Sequence, residues 1–165
     1  MRPSLRYLLA VGTIAVLLGA SPGAGAEGVT ATPPAQLPEL SYKDASDKDQ
    51  RIGPQTRQLY VSIDRAGGKL LEEALAGADQ AQLDTQGAAV VADLSDAPRF
   101  IRPLIRSSLR KQKYSTWLDE TGAIRKLVPV RENHITVVEL DRFVVKSIRY
   151  IGDTTTLRQA FGITP

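Results

Sequence analysis

The chain has 165 residues, 42% of them hydrophobic, enough for one core of ordinary size and too apolar for disorder. It holds no cysteine and one histidine, which excludes dithiol exchange, a peroxidatic thiolate, a disulfide staple, a thiolate zinc site and a histidine ligand cluster. The formal net charge is +3, but Arg2 and Arg6 stand at the extreme N-terminus, so residues 27–165 carry only a net +1 and the charge gives no argument for nucleic acid.

In chain order, a leader comes first. Arg2 and Arg6 precede an uncharged, mostly apolar run from Leu8 to Ala20. Ser21-Pro22-Gly23 breaks the run, and Ala24-Gly25-Ala26 places small residues at the two positions a signal peptidase reads. Residues 1–26 are expected to be a cleaved bacterial signal peptide, since the run is shorter than the ~20 residues of a membrane-spanning helix. The expected location is the periplasm or the exterior. The alternative is an uncleaved signal anchoring the protein in the inner membrane. Residues 27–40, with Pro33, Pro34 and Pro38, read as an extended linker, and residues 41–165 as one domain.

Residues 41–50 are polar and turn-rich, compatible with a small hairpin before the core. Gln58 to Ile63 is a strand by its aromatic and β-branched content. Asp64 to Gly68 reads as a turn, and Lys69 to Ala76 as a helix closed by Gly77. Ala88 to Leu94 is a strand apolar enough for burial on both faces. A helix follows over about 98–112, beginning near Arg102 or kinked at Pro103. Thr116 to Asp119 is a third strand, and Ala123 to Val128 a helical turn. His134 to Leu140 and Phe143 to Arg149 flank Asp141-Arg142, a link so short that the two strands must be antiparallel. Asp153 or Thr154 caps a last helix, Thr155 to Phe161.

Two crossover units, a hairpin and a final helix imply an α/β fold, a three-layer α/β/α sandwich around a mixed sheet. This order resembles the thioredoxin-like fold. Trp117-Leu118-Asp119-Glu120-Thr121-Gly122-Ala123, followed by His134-Ile135-Thr136-Val137-Val138-Glu139-Leu140-Asp141, is similar to the later half of thioredoxin and peroxiredoxin-like domains. The resemblance covers about residues 41–162. The chain also resembles small exported bacterial proteins labelled "FAD/FMN-containing dehydrogenase"; there is no Gly-x-Gly-x-x-Gly, nothing in these residues supports that label, and no cofactor is expected. Where the thioredoxin family places its Cys-x-x-Cys, this chain has Arg65-Ala66-Gly67-Gly68-Lys69. Where the family has a cis-proline before the hairpin strand, it has Ile135, with Thr136 after it. The resemblance therefore implies a fold and carries over no catalytic residue.

Three groups remain as candidate sites. Gly67 and Gly68 amides at a helix start, flanked by Arg65 and Lys69 and facing His134 and Thr136, have the makings of a small-anion site. The bland alternative is a turn left where thiols are missing. Arg99, Arg102, Arg106, Arg110 and Lys113 recur at helical spacing as a basic stripe opposite Ile101, Leu104, Ile105 and Ser108. Such a stripe is most often a solvated face, and otherwise suits a membrane surface or an acidic partner. Asp64, Asp93, Asp96 and Asp119 fall near strand ends, where caps and turns account for them better than a cation does. His134 lacks the Gly-x-Ser-x-Gly context of a hydrolase, and no metal site is expected. The favoured function is a redox-inactive binding or accessory module of the cell envelope, with an envelope protein or a small anion as partner. An enzyme or anion-binding protein built on Arg65–Lys69 opposite His134 is the alternative.

Overall fold

The computed structural model describes residues 36–163. The expected signal peptide and most of the linker lie outside them. Twelve elements follow in chain order: β1 (Ser41–Asp44), β2 (Asp49–Arg51), β3 (Gln58–Ser62), α1 (Arg65–Ala74), α2 (Gln80–Gln86), β4 (Ala88–Asp93), α3 (Arg102–Leu109), β5 (Thr116–Asp119), α4 (Ala123–Leu127), β6 (Ile135–Asp141), β7 (Val144–Ile151) and α5 (Thr154–Ala160). The strands form one sheet in the order β2-β1-β5-β4-β3-β6-β7. β4 pairs in parallel with β3 and β5, while β6 runs antiparallel to β3 and β7.

Strand alternation divides the core between the two faces. Tyr60, Ile135 and Val137 point to the face covered by Leu71, Ala74 and Leu75 of α1 and Leu157 of α5. Phe161 stacks on Tyr60 with ring centroids 3.8 Å apart. Leu59, Val61, Val91 and Val138 point to the other face, against Ile124 of α4, Val128 and Leu37. β4 is buried at every residue, as its unbroken apolar run requires. α3 differs from the other helices in having no buried residue; Ile105 and Leu109 lean on the small cluster of Ala92, Leu94 and Leu118.

The sandwich and its C-terminal hairpin with following helix are as the sequence implies. Three details are corrected. The fold begins before residue 41: Leu37 is buried, its amide donates to the Phe143 carbonyl at 2.9 Å, and Gln36 bridges Val144. The linker therefore cannot extend to residue 40. The first helix begins at Arg65, so Gly67 and Gly68 lie inside its first turn rather than in a loop. Finally, α2 has no counterpart in the expected elements; it buries only Leu83, so it carries no apolar stripe to read.

Candidate functional site

The C-terminal end of β3 meets the N-terminus of α1 and the loop leading into β6. Asp64 organises this meeting. Its backbone is extended, and its Oδ1 accepts the Gly67 amide at 2.7 Å as the helix cap. The other oxygen, Oδ2, accepts the Asn133 amide at 2.6 Å. Asn133 has a left-handed φ of 59°, a conformation asparagine adopts more readily than most residues, and this turns its N–H toward the carboxylate. One side chain thus ties the helix to the loop across a gap in sequence of 69 residues.

The glycine beneath the loop fits this closure. A Cβ built on Gly67 would lie 3.1 Å from the His134 carbonyl oxygen and 3.3 Å from Ile135 Cδ1. Gly67 is buried, and the chain passes over it so closely that a side chain there would need its neighbours to give by a few tenths of an ångström. Gly68 donates its amide to the Asp64 carbonyl at 3.0 Å, the first bond of the helix ladder.

These contacts correct the anion site expected from Arg65, Gly67, Gly68, Lys69, His134 and Thr136. Both glycine amides are already engaged, one by a carboxylate that sits where a bound anion would sit at a helix N-terminus. Lys69 is exposed and lies 3.6 Å from Glu73, one turn further along its own helix. Arg65 is exposed. His134 is half-buried with Nδ1 2.8 Å from the Glu132 carbonyl, and its ring lies against Gly152. Thr136 is buried, 1% exposed. The fold brings these residues to one end of the sheet, with both glycine amides engaged by Asp64 and Lys69 beside Glu73. A shallow groove of about 530 Å³, lined by Arg57, Gln86, Glu139, Lys146 and Gln159 among others, lies at the opposite end, where Gln58 pairs with Glu139.

The basic stripe is also rearranged. Arg102 donates to the carbonyls of Ala97 (3.0 Å) and Ser95 (3.1 Å). Arg106 joins Asp47 to Glu120, and Arg110 reaches Asp47 and the Ala45 carbonyl. These three guanidiniums bind α3 to the β1–β2 turn and to the end of β5. Arg99 and Lys113 are exposed. Three members of the stripe are thus engaged in surface ion pairs and backbone contacts, with Asp47 and Glu120 themselves exposed; the sequence could not show that Asp47 and Glu120 flank it.

The acidic strand ends behave as caps. Asp119 accepts the amides of Thr121 (3.0 Å) and Ile124 (2.8 Å) and the Thr121 hydroxyl (2.9 Å). Burial pushes its carboxyl up, but these donors outweigh burial and hold it below the usual carboxylate range. Asp93, whose side chain is 0% exposed, accepts the Ser95 amide and pairs with Arg125, which also reaches Asp96. No group of three potential metal ligands occurs among the described residues.

No protein-family model and no curated protein matches this sequence. Solved structures do. The exposed lipoprotein thioredoxin of Streptococcus pneumoniae aligns with a TM-score of 0.54 at 9% identity, over 77% of this chain and 100% of that one. StoA of Bacillus subtilis aligns at 0.50 with 12% identity, over 76% and 98%. The thioredoxin domain of a thiol-disulfide oxidoreductase of Bacteroides vulgatus aligns at 0.50 with 12% identity, over 81% and 97%. Seven strands in one mixed sheet, crossed by helices on both faces and closed by the β6–β7 hairpin and α5, give this cysteine-free chain the thioredoxin-like fold.

Proposed function

We propose that the protein is an exported thioredoxin-like domain that carries out no thiol chemistry and serves as a binding or accessory module in the bacterial cell envelope. One observation carries the reading. At the end of the sheet where helix α1 and the β6 loop meet, Asp64 occupies both the Gly67 and the Asn133 amides, and Gly67 lies under the His134 carbonyl. A chain without cysteine has no thiol nucleophile there, and the position is filled from within. The leader supports export, and one structural neighbour is described as an exposed lipoprotein. No helix among the described residues is long and apolar enough to cross a membrane.

The pure protein, free of contaminating thioredoxin, is expected neither to reduce insulin disulfides nor to consume peroxide with a thiol reductant. Thiol-dependent turnover by either assay overturns the redox half of the reading. Mass spectrometry of protein recovered from the envelope fraction is expected to find a chain beginning at Glu27; recovery only from the cytoplasm overturns the envelope half.

A further inference from the structure

The least explained surface is α3 and the turn before it. Phe100 is 79% exposed and Leu104 69%, the two most exposed large hydrophobic side chains among the described residues. They sit at helical spacing with Lys111, which is exposed, and beside exposed Arg99. From Ala97 to Leu118 the sequence contains no acidic residue. Arg102, Arg106 and Arg110 are engaged by Asp47, Glu120 and backbone carbonyls, whereas Arg99, Lys111 and Lys113 have no ion pair among the described residues.

We infer that the segment from Pro98 to Lys111 is a contact surface for anionic phospholipid, in which Phe100 and Leu104 enter the boundary between headgroups and acyl chains while Arg99 and Lys111 meet the lipid phosphates. The partner follows from the chemistry. A residue exposed to that extent has no pocket wall of its own to fill, and a protein partner would have to supply a matching one. A lipid surface needs only apolar side chains that protrude and a net positive fringe; the nearby acids Asp47, Glu120 and Asp96 are each paired with an arginine, which leaves Arg99 and Lys111, among the described residues, as the unpaired charges beside Phe100 and Leu104. The engaged arginines are compatible with the same function, because they tether a helix that has no buried residue to Asp47 and Glu120 and leave Phe100 and Leu104 outward. This inference takes from the proposed function only that an exported protein meets a bilayer; whether the protein has thiol activity does not enter the test.

The test uses protein expressed from the full chain and recovered after export. It is floated with vesicles of phosphatidylglycerol mixed with phosphatidylcholine, and with phosphatidylcholine alone. Recovery is expected to be roughly tenfold higher with the anionic vesicles and to fall as salt is raised. Phe100→Ser with Leu104→Ser, and separately Arg99→Glu with Lys111→Glu, should each abolish most of this difference with the melting temperature unchanged. A second readout does not depend on whether a leader remains: Phe100→Trp should give emission quenched by brominated acyl chains in anionic vesicles, beyond the signal of native Trp117. Equal flotation on both vesicle types, variants that float like the parent, or a tryptophan at 100 that is not quenched would each overturn the inference. An envelope protein that co-purifies through Phe100 and Leu104 while the vesicles stay unbound would overturn it too.

Discussion

A single carboxylate, Asp64, does two jobs that in most proteins fall to different residues. As a cap it satisfies one of the amides a helix start leaves open, and as a bridge it holds the Asn133 loop against that same helix. Asp64→Ala is expected to lower stability by about 1–2 kcal/mol, near the upper end of cap losses, because two donors lose their acceptor. Urea denaturation measures the loss. Hydrogen exchange locates it: the Gly67 and Asn133 amides should lose protection while those of β3 and β4 keep theirs. Asp64→Asn, which retains an acceptor oxygen but not the charge, should fall between the two. Uniform loss of protection across the sheet would mean that Asp64 supports the whole fold and not this junction.

Among the elements, the β6–β7 hairpin is the one most at odds with its sequence. Arg142 and Phe143 form its tip with φ of 46° and 73°, both left-handed, the geometry in which asparagine and glycine are preferred. Phe143 is retained by its contacts, since its side chain packs on the core cluster around Leu37 and its carbonyl accepts the Leu37 amide. Arg142 is exposed and has no such compensation. Arg142→Asn should therefore raise the denaturation midpoint, by about 0.5–1 kcal/mol in stability, and Arg142→Val should lower it. The sequence announced the hairpin through two β-rich runs with a short link, but placed Phe143 in the strand; left-handed backbone at a bulky aromatic has no compositional signal. Strands β3, β4 and β6 were legible because burial on both sides of a sheet demands unbroken apolar runs. Helix α2 was not, although its capping box, Asp79 with Gln82, stood in the sequence. At the candidate site Asp64 was legible as a cap, while its second partner was not: Asn133 is brought to it by the β6 crossover, which local pattern does not encode. The pairing of Arg106 and Arg110 with Asp47 was hidden for the same reason, since the β1–β2 turn is placed beside α3 through the pairing of β1 with β5.

On the scale of the whole molecule, acid sensitivity follows from the hydrogen-bonded carboxylates at turns and caps, Asp44 and Asp119 buried and Asp153 exposed. Asp119 and Asp44 are opposed by burial but held low by donors, from Ile124 and Thr121 in one case and from Lys48, Ser46, Gln50 and Ser115 in the other; Asp153 is lowered by Thr156. In each the folded state favours the ionised form. The stability they add is complete above the ordinary carboxylate range and is lost as pH falls through their depressed folded values. The native protein should hold its stability from neutrality down to about pH 4 and lose it progressively below that, as followed by thermal melts across pH. Asp119→Asn should flatten the acid limb of that profile while lowering the plateau; an acid limb identical to the parent's would show that Asp119 does not contribute to it.

The contact between Gly67 and the His134 carbonyl bears on how lineages of this protein would vary. A Cβ at 67 forces the loop to give way by a few tenths of an ångström, and only a carboxylate at 64 offers two equivalent acceptor oxygens for the Gly67 and Asn133 amides. Purifying selection would then hold an aspartate and a glycine nearly fixed at the very turn where a thioredoxin keeps its chemistry. An alignment of relatives would display the signature of a catalytic pair at a place where the only thing being preserved is the fit of one backbone against another.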